Sequence, residues 1–241
     1  MFEDKTLVVL GCSFAFGIFE NDTGIKNITT CHERSWATKL GETAGFKNVV
    51  NLSLPGGSNY RSERVLVEYL RKNTKDIVVI FSLTELSRFE TIHNLDIGVP
   101  MHISPSDIYG DYGYIDRSID IDREDITVKD KQFLEYYYSV MHNDRADIEI
   151  INRNMLMIHC LLKSLNIEHY FFPMLCEPNV LIEEQLGFKI PLISFSDNGS
   201  KINAFEWLQV NKFKKGKCGH FDHDGNQFLA EYIYATIKEK L

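Results

Sequence analysis

Four short apolar runs, rich in β-branched or aromatic residues, lie along the chain at residues 6–10, 49–52, 77–81 and 169–174. Runs this short and this uniformly apolar are typical of strands buried on both faces, as in a parallel sheet covered by helices. The hydrophobic pattern therefore predicts four buried strands.

Segments with helical periodicity separate these predicted strands. Ser35 is suited to cap a helix with an apolar face, and Gly45 is suited to end it. Further helices are predicted after Ser58, in a long segment ending near residue 165, and from about Asp224 onward. Helices thus occur between the strands and after the last of them.

This alternation predicts an α/β protein with a three-layer, doubly wound, flavodoxin-like sheet that is mostly parallel. The 241 residues contain no internal repeat or low-complexity linker, so a single domain over residues 1–241 is expected. Residues 89–130 fit no regular pattern and are rich in Asp, Tyr and Gly. We expect an irregular insertion there, lying over the functional site and less ordered than the sheet.

The charge distribution excludes two classes of partner. The formal net charge is −8, and the sequence contains no long run of Lys and Arg. Binding to a nucleic-acid backbone or to an anionic membrane surface needs clustered positive charge, so neither partner is expected. No segment approaches the length of a membrane span either.

The cysteines and the first residues indicate a cellular compartment. Five cysteines, an odd number, show no spacing of a disulfide framework or a metal knuckle, which indicates free thiols in a reducing environment. The first residues are acidic, and the apolar run after them is too short for a signal peptide. We therefore expect a soluble, cytoplasmic protein.

A serine follows the first predicted strand, within the segment GCSFAFG at residues 11–17. A serine at a strand-to-helix turn can present its hydroxyl at the sheet edge, where the helix N-terminus favours developing negative charge. The alternative is that Ser13 only caps the following helix. Taken alone, this segment favours the capping role.

Polar groups also follow the second and third predicted strands. After the second strand, Gly56 and Gly57 can offer backbone N–H groups to a substrate oxygen, and Asn59 can add a side-chain donor. The alternative is a Pro-Gly turn followed by a helix cap. The segment after the third strand, residues 82–88, supplies hydroxyls and charges, but its Glu85 and Arg88 also suit a plain surface ion pair.

A histidine precedes the last predicted helix, within the segment GHFDHDGN at residues 219–226. His220 can reach back to a serine at the first strand and act as its general base. His223 is expected to be a solvated loop residue, and Asp224 with Gln227 resembles a capping box. The His and Asp residues match no zinc or calcium spacing, so no metal is expected.

The order of these segments resembles the SGNH (GDSL-like) hydrolase superfamily. It is most similar to the phage and bacterial proteins of that type that open with GCSF and continue with NL-x-x-PG-x-SN. The resemblance implies that Ser13 is the nucleophile and His220 the general base, so these two residues should converge. It also implies that backbone N–H groups of Ser13 and of Gly56 or Gly57 hold the oxyanion. The implied substrate is a small ester or an acylated carbohydrate, without a cofactor.

Two positions depart from the pattern of that superfamily. The third segment should offer an asparagine within a GxND-like sequence, but residues 82–85 read SLTE, so Thr84 or Asn59 would have to substitute. An aspartate should stand three residues before His220, where Lys217 is found. Asp222 or Glu177 could orient the histidine instead, or the enzyme could use a Ser–His dyad.

These departures leave two main hypotheses. The first is a serine acyl-hydrolase, an esterase or carbohydrate deacetylase. The second is a catalytically degenerate SGNH-fold domain that binds a ligand or a partner without turnover. A flavodoxin-like nucleotide binder is a weaker third interpretation, because the sequence lacks a phosphate-cradling glycine loop. The sequence favours the hydrolase.

Overall fold

A computed structural model describes residues 2–18, 28–86, 88–94, 99–103, 136, 143–176, 189–215 and 219–240. The strands in these ranges are β1 (Thr6–Leu10), β2 (Asn48–Asn51), β3 (Ile77–Leu83), β4 (Phe89–Asn94), β5 (Val99–Ile103), β6 (Glu168–Pro173), β7 (Phe195–Asp197) and β8 (Ser200–Ile202). The helices are α1 (Ser13–Phe16), α2 (Ile28–Arg34), α3 (Trp36–Ala44), α4 (Asn59–Leu70), α5 (Asp144–Ser164), α6 (Ala204–Val210) and α7 (His223–Lys240). The four predicted strands are thus β1, β2, β3 and β6.

The central sheet has four strands in the order β2-β1-β3-β6, and every neighbouring pair is parallel. In register, Thr6 of β1 lies opposite Asn48 of β2 and Ile77 of β3. The chain places β2 on one side of β1 and β3 on the other, which creates a topological switch point between β1 and β3. In sheets of this kind, sites form beyond the carboxyl ends of the strands at such a point.

Helices cover both faces of the sheet. Alternate residues of β1 and β3 divide between two buried clusters: Leu7 and Val9 face α3 and α7, whereas Val8 and Leu10 face α4 and α5. Because both faces are covered, the strands need apolar residues at successive positions rather than alternating ones. The predicted three-layer, doubly wound α/β fold is confirmed.

The predicted helix ends are largely as expected. The Ser35 hydroxyl accepts a hydrogen bond from the Thr38 N–H at 3.3 Å, and Gly45 ends α3 in the left-handed conformation. Ser58 caps α4 in the same way, through the Arg61 N–H at 3.1 Å. In the part of the chain that the structure describes, no helix is long and apolar enough to cross a membrane.

The predicted cap of α7 is wrong. The Asp222 carboxylate, not that of Asp224, accepts a hydrogen bond from the Gly225 N–H, at 3.0 Å. The helix begins at His223, so Asp224 already lies in its first turn. Gln227 donates instead to Glu231, one turn further along, at 2.9 Å.

The expectation of an irregular insertion at 89–130 is wrong for its first part. Strands β4 and β5 form an antiparallel pair there, with Phe89 opposite Ile103. This pair is separate from the central sheet, and β4 lies beside α4. Residues 104–130, and the expectation that they lie over the site, fall outside the described ranges.

The two outer strands of the central sheet, β6 and β2, differ in how their free edges are limited. At one side, a segment at residues 190–193 runs along β6: Phe171 donates its N–H to the Pro191 carbonyl at 3.0 Å and accepts from the Ile193 N–H at 2.8 Å. At the other side, β2 has only four residues and both begins and ends with asparagine. Each outer strand therefore presents only a short stretch of free backbone.

Candidate active site

Ser13 lies directly after β1, at the carboxyl edge of the sheet, and is the first residue of the one-turn helix α1. Cys12 occupies the N-cap position in an extended conformation, without a side-chain capping bond. The alternative that Ser13 only caps α1 is therefore wrong, because Ser13 lies inside the helix. Its side chain is left for another role.

Gly11 allows this turn to pass close to β3. A Cβ atom added to Gly11 would lie 2.9 Å from Cβ of Ser82 and 3.1 Å from Cβ of Ala15. Both neighbours are buried, so neither can move away easily. Glycine at this position thus permits α1 to sit directly over the end of the sheet.

Asn51, the last residue of β2, holds α1 in place. Its side-chain N–H donates to the Ala15 carbonyl at 2.6 Å, and its side-chain oxygen accepts from the Ser53 N–H at 3.1 Å. A carbonyl at the end of a helix has no partner within the helix, so this bond satisfies one of them. One signal of this role is visible in the sequence, since a polar residue follows apolar ones at the end of the strand.

The loop after β2 brings two glycines beside the Ser13 turn. Leu54 donates its N–H to the Gly11 carbonyl at 3.2 Å, which ties the loop to the end of β1. Gly57 donates its N–H to the Leu54 carbonyl at 2.9 Å and closes a turn in which Gly56 has φ of 69°. Glycine is favoured at that position of a type II turn. The predicted Pro-Gly turn is therefore present.

This turn separates the two glycine candidates for the oxyanion hole. The Gly57 N–H is already bonded within the turn. Among the described residues, the N–H groups of Ser13 and Gly56 have no hydrogen-bond acceptor. Of the three predicted backbone donors, Ser13, Gly56 and Gly57, the first two are thus the ones that remain available.

Asn59 and Thr84 are bonded to each other. The Thr84 N–H donates to the Asn59 side-chain oxygen at 2.9 Å, and the Asn59 amide donates to the Thr84 carbonyl at 3.2 Å. Both residues are buried. The Thr84 hydroxyl also accepts from Arg88 at 3.2 Å, and Arg88 forms the expected pair with Glu85. The donors that remain in this pair are the Thr84 hydroxyl hydrogen and the second amide hydrogen of Asn59.

His220 lies at the same edge of the sheet as Ser13. The centroid of its ring is 4.5 Å from that of Phe14, the residue that follows Ser13. His220 is buried, with 8% of its surface exposed. Phe221 beside it is buried and packs against Phe205 with a centroid distance of 5.2 Å. The structure thus brings the two segments together although they are far apart in sequence. A hydrogen bond between Ser13 and His220 stays a prediction.

Asn226 fixes the loop that carries His220, a role that the sequence analysis missed. Its side-chain amide donates to the carbonyls of Phe221, at 3.1 Å, and Asp222, at 2.9 Å, while its oxygen accepts from the Trp36 N–H at 3.2 Å. One buried side chain therefore joins this loop to the first turn of α3. A buried amide with all these partners is expected to be rigid.

Among the other predicted residues, His223 is exposed, as expected of a solvated residue. Glu177 and Lys217 lie outside the described ranges. Within those ranges, no three His, Cys, Asp or Glu side chains form a group that could hold a metal ion.

Asp222 holds the helix cap, so under the hydrolase hypothesis Asp222→Asn should retain ester turnover within about threefold, because Asn caps a helix as well as Asp does. Asp222→Ala should lose the cap and about 1 kcal/mol of unfolding free energy. Ester turnover and urea denaturation measure the two effects. If Asp222→Asn instead lost several orders of magnitude in rate with an intact circular dichroism spectrum, Asp222 would be the orienting acid.

Comparison with solved structures identifies the fold. The chain is similar to a psychrotrophic esterase, EstA from Pseudoalteromonas sp., with a TM-score of 0.52, 12% identity and 98% of each chain covered. It is also similar to an acetyl xylan esterase, Est2A from Butyrivibrio proteoclasticus, with a TM-score of 0.53 and 12% identity, over 98% of this chain and 64% of that one. No protein-family model and no curated protein matches the chain by sequence.

The fold belongs to the class of α/β proteins that carry their functional groups at the carboxyl edge of a parallel sheet. Within that class, the fold is similar to the folds of these two esterases. The α/β fold that the resemblance implies is thereby confirmed.

Proposed function

We propose that this protein is a serine acyl-hydrolase that acts on small esters, acylated carbohydrates among them. The observation that carries the proposal is the packing of the His220 ring on Phe14, beside Ser13, at the carboxyl edge of the sheet. The esterase neighbours support this reaction class. Est2A is an acetyl xylan esterase, which supports an acylated carbohydrate as substrate.

The reaction begins with proton transfer from the Ser13 hydroxyl to His220, as the serine oxygen attacks the ester carbonyl carbon. When the tetrahedral intermediate collapses, His220 returns the proton to the leaving alcohol, and the acyl group stays on Ser13. Water then attacks the acyl-enzyme while His220 accepts its proton. The second collapse releases the carboxylic acid and restores the Ser13 hydroxyl.

The N–H groups of Ser13 and Gly56 hold the oxyanion in this mechanism. Of the predicted backbone donors, these two remain available, since the Gly57 N–H closes the turn. A third donor would come from the Thr84 hydroxyl or from Asn59. Removing one donor from an oxyanion hole typically costs about two to three orders of magnitude in turnover, so a hole with two donors implies a modest rate.

Replacing Ser13 with Ala is expected to abolish hydrolysis of 4-nitrophenyl acetate, because the acyl group then has no acceptor on the enzyme. The loss in kcat should be at least about a thousandfold. Ser200→Ala is the matched control, since Ser200 is exposed on β8. Turnover by Ser13→Ala equal to that of the control would overturn the mechanism.

The mutual bonding of Asn59 and Thr84 favours the second candidate, a degenerate SGNH-fold domain that binds without turnover. A fluorophosphonate probe separates the two candidates, because it labels only an activated serine. Labelling of wild-type protein at Ser13, located by peptide mass spectrometry, supports the hydrolase. Absence of both labelling and ester turnover would support the binding domain.

A further inference from the structure

Three exposed lysines precede the loop that carries His220: Lys212, Lys214 and Lys215. In the part of the chain that the structure describes, none of them forms an ion pair with a carboxylate. The protein as a whole has a net charge of −8. A group of uncompensated positive charges on an acidic protein creates a local potential that attracts anions.

The backbone holds this lysine strip, residues 212–215, against the His220 loop. Lys215 bridges to Phe221 in antiparallel fashion, and Asp222 donates its N–H to the Lys214 carbonyl at 3.3 Å. Between the lysines, the Phe213 ring packs on Phe228 of α7 with a centroid distance of 4.8 Å. The strip is therefore fixed in place.

A chain of ring contacts connects the strip to the candidate active site. The Lys215 ammonium group lies 4.8 Å from the centroid of Phe205. The Phe205 ring is 5.4 Å from that of Phe14, and Phe14 contacts His220. Phe14 and Phe205 are only partly buried. The lysine therefore borders an aromatic wall that continues to the residue beside Ser13.

Three carboxylates lie on the elements next to the strip. Asp222 is occupied by its capping bond to the Gly225 N–H, Asp224 is exposed in the first turn of α7, and Glu206 follows Phe205 on α6. Among the described residues, none of these carboxylates forms an ion pair with a lysine of the strip.

We propose that the lysine strip binds a carboxylate group of the substrate, so that the preferred ester carries a negative charge beside the scissile bond. The apolar part of such a substrate would contact Phe14 and Phe205, while its carboxylate would approach Lys214 and Lys215. This inference rests on the proposed function, because it assigns the substrate class of the same site.

A matched pair of esters tests the inference. 4-Acetoxybenzoate carries a carboxylate, and 4-acetoxybenzamide is its neutral counterpart. The ratio of their kcat/KM values should exceed 1 at low salt and should fall about fivefold in the Lys214→Gln/Lys215→Gln variant. Raising the salt concentration should lower the ratio in the wild-type protein. Lys75→Gln is the control, because this exposed lysine precedes β3 at the opposite edge of the sheet.

Binding to Ser13→Ala protein separates a failure of this inference from a failure of the proposed function. The Kd values of both compounds are measured on that protein by NMR titration, with and without the two lysines. Tighter binding of the anionic compound that depends on the lysines supports the inference, even if wild-type protein hydrolyses neither ester. Equal Kd values, or a preference that persists in the double lysine variant, would overturn it.

Discussion

His220→Ala is expected to lower kcat/KM for 4-nitrophenyl acetate by about three orders of magnitude, because Ser13 loses the base that accepts its proton. The ring lies against Phe14, beside Ser13, and is buried.

Two further variants test whether the loss of rate is specific to His220 as the base for Ser13. Because nucleophile and base act as a unit, the Ser13→Ala/His220→Ala double variant should be no slower than either single variant. His223→Ala removes an exposed histidine three residues away and should hydrolyse the ester normally. If His220→Ala retained wild-type kcat/KM while its circular dichroism spectrum stayed unchanged, His220 would not be the base.

Gly17→Ala should lower the free energy of unfolding by about 3 kcal/mol or more, a larger loss than that of Asp222→Ala or Gly45→Ala. Gly17 ends α1 with φ of 97°, a left-handed conformation that disfavours other residues. An added Cβ would also overlap the carbonyl oxygen of Cys31 and lie 3.0 Å from Cβ of Ser35. The strain and the overlap act together, and urea denaturation measures their sum.

Gly45→Ala provides the control for that measurement. Gly45 also ends a helix in the left-handed conformation, with φ of 73°, but no atom lies within 4 Å of the position of its added Cβ. This variant should lose only about 1 kcal/mol, from backbone strain alone. The difference between the two variants then isolates the overlap with Cys31. Equal losses would mean that the packing around α1 can relax.

The central sheet was predictable because its strands are covered on both faces. β1 and β3 carry apolar residues at nearly every position, and such a run is visible in the sequence without knowledge of its partners. The β4–β5 pair was missed for the opposite reason. Its strands contain polar residues, and Pro100 within β5 is unusual in a strand.

The residues that arrange the candidate site were harder to predict, because their partners are distant in sequence. Asn226 bonds to Trp36, and Asn59 bonds to Thr84, through contacts that only the folded chain creates. The cap of α7 shows the same limit locally. Asp222 and Asp224 are both good capping residues, and the choice depends on where the helix starts.

The two outer strands, β2 and β6, affect how readily the sheet can pair with a second molecule. A sheet with a long open edge offers its free N–H and C=O groups to a strand of another molecule, which is a route to aggregation. Here the segment at residues 190–193 already occupies backbone groups of β6. On the other side, β2 would offer an incoming strand a ladder of only four residues, with an asparagine at each end. Both outer strands therefore offer little backbone for pairing with a strand of another molecule.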